Sequence, residues 1–361
     1  MSDASGDAAA DPPSAPRPGA QRRRLDVDDY VAGVRAGDRA ILARAITLVE
    51  SLRPQDLPLA QAVLQQLLPE TGGAYRVGIT GTPGVGKSTL IEALGTRLAD
   101  RGKRVAVLAV DPSSSVTGGS ILGDKTRMAR LAQHPAAFIR PSPSGLALGG
   151  VARRTRETLL LCEAAGFDLV LVETVGVGQS ETVVAGMVDF FLVLMQPGGG
   201  DELQGIKKGI LELADAIAVN KADGPLLPRA REAQRDYAAA LRYLPPRRQG
   251  WKPECVLVSG ATAAGLDELW GLVERHREAL TASGELEALR QEQLRGWMRS
   301  LVEEHLLRRF FASSSVRTRL PALEAAVLDG RRTPAQAAAE LLELPDLVRL
   351  LGDEDAKRIA R

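Results

Sequence analysis

One stretch constrains the fold of this chain more than any other: YRVGITGTPGVGKSTLIEALGTRLAD, residues 75–100. A short apolar run, YRVGIT at 75–80, leads into Gly81-Thr82-Pro83-Gly84-Val85-Gly86-Lys87-Ser88, and a helical pattern follows from Thr89. The loop matches G-x-x-x-x-G-K-[ST], and the strand before it and helix after it supply the context that motif needs. Its glycines let backbone N–H groups face phosphate oxygens without interference from Cβ, and the helix start adds partial positive charge. Lys87 is expected to reach the β- and γ-phosphates, and the Ser88 hydroxyl to ligate Mg²⁺.

The other apolar runs fit the sheet such a loop requires. They are RVAVLAV (104–110), DLVLVE (168–173), FFLVLM (190–195), AIAVNK (216–221) and ECVLVS (254–259), several of them followed by helical stretches. Near-continuous apolar strands are buried on both faces, which predicts a doubly wound, mostly parallel α/β sheet. Ligands in such sheets bind at the carboxyl ends of the strands. Helical text flanks this region on both sides. The reading is a tail at 1–24, an N-terminal helical segment at 25–72, a P-loop domain at 73–280 and C-terminal helices at 281–361, with a break at Gly330 and Pro334. The C-terminal helices fit two descriptions equally: a layer packed on the same domain, or an arm that dimerises or docks a partner.

Composition narrows the partners. The net charge of +1 over 361 residues lacks the basic excess of a nucleic-acid surface. No run of about 18 apolar residues is present, so no membrane-spanning helix is expected. The N-terminus, rich in Ala, Pro, Asp and Ser, has no apolar core and reads as a disordered tail rather than a signal peptide. Cys162 and Cys255 lie far apart without metal-ligand spacing and read as core residues of a cytoplasmic protein. His134, His276 and His305 stand alone, which argues against zinc.

Asn220-Lys221-Ala222-Asp223 then identifies the base. Guanine presents N1–H and N2–H₂ on one edge, and a single carboxylate, Asp223, accepts both. Adenine would turn an acceptor nitrogen toward that carboxylate and lose the match. Lys221 is expected across the ring face, and Ser259-Gly260-Ala261 where a backbone N–H meets guanine O6. The nucleotide expected is GTP or GDP. Near the γ-phosphate, Glu173 ends an apolar run and is followed by Gly176, an E-x-x-G form of the D-x-x-G switch. Glu173 is expected to hold Mg²⁺ through water, and the Gly176 N–H to sense the γ-phosphate. Val177 stands where a water-orienting Gln is often found, and Gln179 is a weak substitute. Asp111 and Asp124 complete the acids: one is expected in the magnesium shell, the other on the attacking water. With Lys87 and Glu173 they are the candidate catalytic residues. Without a catalytic Gln, hydrolysis should be slow until a partner completes the site, an effect of roughly 10³–10⁵-fold in related chemistry.

Taken together, GITGTPGVGKST, AVDPSSSVTGGSILGDKTRM, ETVGVGQSE, QPGGGDELQGIKKGILELAD and VNKAD resemble the SIMIBI-class P-loop GTPases of the MeaB/ArgK/MMAA family. The likeness runs from about Val27 into the C-terminal helices. It implies a homodimer joined through the C-terminal helices, and a GTP-dependent chaperone of an adenosylcobalamin-dependent acyl-CoA mutase of the methylmalonyl-CoA mutase type. It further implies that Asp201, Glu202, Gln204, Lys207 and Lys208 form an extra switch coupling nucleotide to mutase. Ser-Gly-Ala at 259–261 departs from the more usual Ser-Ala-Leu, and the linker LRYLPPRRQGWKPE is expected to be a surface loop whose Trp251 packs on the base side. A cobalamin-binding D-x-H-x-x-G is absent from the sequence, so the mutase is expected to be a separate protein. A protein kinase linked to transport is the alternative, set against the guanine-reading residues. A nickel-insertion GTPase shares the fold but usually carries clustered Cys or His.

Overall fold

A computed structural model describes residues 25–110, 128–141, 148–174, 180–198, 208–245, 247–248 and 250–344 of the chain. Its strands are β1 Tyr75–Gly81, β2 Val105–Val110, β3 Ala137–Arg140, β4 Leu169–Thr174, β5 Phe190–Met195, β6 Ala216–Val219 and β7 Glu254–Leu257. They form one sheet in the order β3-β2-β4-β1-β5-β6-β7, with every pairing parallel. β1 is central, with Ile79 in register with Glu173 on one side and Leu192 on the other. The loop after β1 therefore opens where the strand order reverses, the place where open α/β sheets hold ligands.

The helices are α1 Val27–Arg35, α2 Arg39–Val49, α3 Leu57–Leu67, α4 Lys87–Asp100, α5 Ala129–Gln133, α6 Leu148–Ala164, α7 Ser180–Ala185, α8 Lys208–Leu211, α9 Leu227–Leu241, α10 Leu266–Ser283, α11 Glu285–Ala312, α12 Ser314–Leu328 and α13 Pro334–Leu342. Because side chains alternate along a strand, the sheet feeds two cores. Val77, Ile79, Leu169, Leu171, Phe190 and Leu192 pack with α4 and α10. Val170, Val172, Phe191, Val193, Ile217 and Val219 pack on the other face with α1, α2, α3, α6 and α9. Cys162 is fully buried in that second core, as its apolar surroundings predict, whereas Cys255 on β7 is only half-buried; both are free thiols.

The helical text before the sheet is two helices where its apolar periodicity is continuous. Gly37, at φ +68°, turns the chain between α1 and α2, and the Asp38 carboxylate caps α2 by accepting from the Ala40 and Ile41 N–H groups at 2.8 and 3.1 Å. Gly284, at φ +76°, likewise divides α10 from α11.

Two expectations are adjusted. β3 at the sheet edge was not anticipated, and β6 and β7 stop at Val219 and Leu257, short of the expected 221 and 259. Beyond those points the backbone turns into the site: Lys221 has φ +58°, and the Ala222 N–H donates to Val258 O at 3.0 Å.

α11 spans 28 residues, about 42 Å at ~1.5 Å per residue. Its first half is tied to the base of the sheet: Arg290 donates from Nε and Nη2 to the Asp189 carboxylate at 2.9 and 2.6 Å. Gln293 Nε2 donates to Val188 O at 2.8 Å, and Arg156 reaches back to Gln293 O at 3.0 Å. Leu294, Met298, Val302 and Leu306 stand exposed along one side of the helix. α12 and α13 close over a small core of Val316, Leu323, Ala337 and Leu341.

Candidate functional site

The phosphate loop takes a form its glycines permit and other residues would resist. Gly81, Gly84 and Gly86 have φ of +150°, +80° and +98°. A Cβ on Gly81 would lie 2.5 Å from Leu194 O, and one on Gly86 2.6 Å from Asn220 Nδ2. The loop closes with the Val85 N–H donating to Thr82 O at 3.2 Å, and α4 begins at Lys87. Lys87 is 8% exposed, and its Nζ donates back to Gly81 O and Thr82 O at 2.7 and 3.1 Å. Burial pushes its ammonium below the ordinary lysine range, with Glu173 and Glu181 acting in the opposite sense. A cation so held is poorly solvated, and an anion arriving in the loop would meet little competition from water.

Ser88 and Glu173 meet, Oγ donating to Oε1 at 2.9 Å. Both are hard oxygen donors of the type that Mg²⁺ takes, so the residues present suit that ion. Beside them the Thr174 and Thr80 hydroxyls join at 2.7 Å and pin β4 to β1 where both strands end.

The NKAD segment is bonded to the phosphate loop itself. Asn220 donates from Nδ2 to Val85 O at 2.8 Å and accepts the Gly260 N–H at 3.0 Å. It thereby joins the loops after β1 and β7. Lys221 donates from Nζ to Gly84 O at 2.8 Å, so its stem lies along the loop. The Asp223 carboxylate accepts the Ser259 hydroxyl, whose oxygen accepts the Thr262 N–H at 3.1 Å. Gly260 also has a steric reason to lack a side chain: a Cβ there would lie 2.9 Å from Leu90 N of α4.

The structure thus brings together Lys87, Ser88, Glu173, Asn220, Lys221, Asp223, Ser259 and Gly260. Thr82 is half-buried, and Pro83, Gly84, Thr89 and Ala261 line the exposed side. Asp111, Asp124, Gly176, Val177, Gln179, Asp201, Glu202, Gln204 and Lys207 lie outside the described residues, and Lys208 opens α8. Glu181 was not singled out in sequence, yet it is 2% exposed and its carboxylate acts on Lys87. Its signal was its place at the end of ETVGVGQSE, five residues after Gly176, a stretch read only for Glu173, Gly176, Val177 and Gln179. Trp251 corrects an expectation. It is 8% exposed, and its Nε1 donates to Asp215 O at 2.9 Å, just before β6 starts. Its ring packs edge-on against His276 with centroids 4.7 Å apart. That is the amino end of the sheet, opposite the candidate site, because a broad indole finds its partners in the core beneath α10.

Among known proteins, the family model described as "Methylmalonyl Co-A mutase-associated GTPase MeaB" matches residues 42–315. A probable GTPase of Mycobacterium bovis is 57% identical over 321 residues, covering 89% of this chain and 96% of that one. The mitochondrial "Methylmalonic aciduria type A homolog" of Mus musculus is 46% identical over 330 residues, covering 88% of this chain and 79% of that protein. The crystal structure titled "LAO/AO transport system kinase" superposes with a TM-score of 0.72 at 41% identity, covering 88% of this chain and 96% of that one.

Proposed function

The chain belongs to the MeaB family of methylmalonyl-CoA mutase-associated GTPases, and from that premise we propose that it acts as a chaperone whose GTP hydrolysis serves a separate acyl-CoA mutase. In this reading it gates adenosylcobalamin loading and protects or reactivates a mutase of the methylmalonyl-CoA type. The nucleotide half is carried by one observation: Asn220 and Lys221 are hydrogen-bonded to the phosphate loop, so base reading and phosphate binding form one rigid unit. The partner half is supported by the family description, which names association with that mutase.

In this proposal the roles are divided as follows. Asp223 accepts guanine N1–H and N2–H₂, Lys221 lies along the ring, and the Ser259-Gly260-Ala261 backbone meets O6. The residues from Gly81 to Thr89 wrap the phosphates, with Lys87 carrying charge to the β- and γ-oxygens. Ser88, Glu173 and one of Asp111 and Asp124 would hold Mg²⁺, which when bound neutralises charge on those oxygens. The remaining aspartate orients water against the γ-phosphorus; the bond to the β-phosphate oxygen breaks, GDP departs, and the water proton leaves with phosphate. Gly176 reports the γ-phosphate, and Asp201, Glu202, Gln204, Lys207 and Lys208 pass that report to the mutase.

The domain reading goes with it: a tail at 1–24, helices at 25–72, the GTPase domain at 73–280 and a dimerising arm at 281–361. The exposed apolar row on α11 supports the arm. Among the described residues no helix is long and apolar enough to cross a membrane, and a cytoplasmic setting suits the two free thiols.

The test is steady-state GTP turnover by the purified protein, alone and with each adenosylcobalamin-dependent mutase of its organism, with ATP in parallel. One mutase should raise GTP turnover well above the basal rate, and ATP should be a poor substrate. No stimulation by any mutase overturns the chaperone reading; equal use of ATP overturns the guanine assignment and favours a kinase.

A further inference from the structure

Away from the nucleotide loops, a cavity of about 550 Å³ opens between the α2–α3 connection, α6 and the second half of α11. Its charges are unbalanced. Arg53, Arg153, Arg154 and Arg308 line it, against the carboxylates of Glu157 and Glu304. Both acids already have partners: Glu157 Oε1 accepts from Arg153 Nε at 3.2 Å and Gln61 Nε2 at 3.3 Å, and Glu304 pairs with Arg308 at 2.5 Å. Glu50, just outside, is taken by Arg140.

Arg154 is the exception. It is only 9% exposed, yet among the described residues its guanidinium donates no hydrogen bond and joins no ion pair. Burial pulls it below the ordinary arginine range; Glu50, Glu157 and Glu304 act against that, and Arg153 adds to it. A guanidinium has five N–H donors in a fixed fork, and those of Arg154 meet no acceptor among the described residues, which leaves them open to one in the cavity. Arg53, exposed at the mouth, is likewise unpaired among the described residues. Leu48, Leu52 and Leu57 add apolar surface to the lining, Leu52 and Leu57 at its exposed rim.

We propose that this cavity is a second ligand site, distinct from the nucleotide site, for a small organic oxyanion: a carboxylate or phosphate head gripped by Arg154 and Arg53, on an apolar body lying against Leu48, Leu52 and Leu57. The concave shape and volume are those of small-molecule sites, roughly 300–1,000 Å³. A planar fork selects oxyanions through paired hydrogen bonds. Because the walls come from the N-terminal helices, α6 and α11, an occupant would tie the arm to the body of the molecule.

Titration calorimetry on the full-length protein, saturated with GDP and Mg²⁺ to fill the phosphate loop, tests this with hexanoate, hexyl phosphate and hexanol as probes. Hexanoate, hexyl phosphate or both should bind one per chain, the stronger of them naming the head group, and hexanol should not bind. Arg154→Met should weaken binding about tenfold or more, a loss expected for a charge-assisted pair. Arg53→Ala, a change at an exposed side chain, should weaken it several-fold in a protein whose circular dichroism is unaltered. The proposal is overturned if neither anion binds, if hexanol binds as well as they do, or if Arg53→Ala binds both anions like the wild type.

Discussion

Asp223 accepts the Ser259 hydroxyl, so its carboxylate is oriented before any base arrives. That orientation makes specificity testable at a single atom. In Asp223→Asn an amide N–H₂ replaces one acceptor oxygen and opposes the guanine N–H donors, while matching the 2-keto oxygen of xanthine. GTP affinity should fall about 100-fold or more, because a buried donor left without its acceptor costs about 1–3 kcal/mol, and XTP should become the better ligand. Competition between the two triphosphates for a fluorescent nucleotide reads the exchange; unchanged GTP affinity would remove Asp223 from the base site. Lys87 offers the converse test. Burial disfavours its charge, so Lys87→Met should leave the nucleotide-free protein at least as stable as wild type while GTP binding is lost. The pH dependence has a definite sign. The unfolded lysine keeps its proton up to its ordinary value of 10.5, and the folded one releases it earlier. Between those points the unfolded state binds more protons, so wild-type stability gains with rising pH relative to Lys87→Met. Urea midpoints of the two proteins through that window give the comparison.

At the scale of elements, β1, its loop and α4 form one device, and Gly86 is its tightest point. Its φ of +98° is unsuited to an L side chain, and a Cβ would displace the Asn220 amide that bridges to the β7 loop. Gly86→Ala should therefore cost about 1–3 kcal/mol of backbone strain and weaken GTP more than tenfold, with denaturant melts and nucleotide titration reading the two effects separately. A loss of stability with intact affinity would show that the bridge has no part in binding. This device was legible in the sequence because each part has its own chemical signature: an apolar run, glycines in register, Lys-Ser, then NKAD. β3 was not legible. AFIR is four residues long at the sheet edge, too short for periodicity to separate from a loop. Its identity comes from Ala106 pairing with Phe138 and Leu108 with Arg140, contacts that no local pattern encodes. Trp251 misled for a related reason: PPRRQGW reads as surface linker, and only the meeting of β6 with α10 creates the hole its ring fills.

For the whole molecule, the question is how a helix of 28 residues can project an apolar row without collapsing onto its own domain. The answer lies in the ties of its first half. Asp189 is fully shielded as a side chain, and Arg290 closes on it from α11. Burial opposes the Arg290 charge, and the Asp189 hydrogen bonds and charge outweigh that and push it above the ordinary arginine range. Arg290 also donates to Ala74 O at 2.7 Å, so the helix is fixed to the strand that carries the phosphate loop. Removing the arginine leaves a buried carboxylate short of its partner, and Arg290→Met should cost about 3–5 kcal/mol in a denaturant melt. Met298, two turns on, is 60% exposed and should behave in the opposite way. Met298→Glu should change subunit stability by no more than about 0.5 kcal/mol, yet place a charge in the middle of the row from Leu294 to Leu306. If that row is the dimer seam, sedimentation will find wild type as a dimer, Met298→Glu as a folded monomer, and Arg290→Met weakened in the subunit before the seam is disturbed. A Met298→Glu dimer as tight as wild type would move the seam off this face of α11, leaving the Arg290–Asp189 tie as an anchor of the subunit alone.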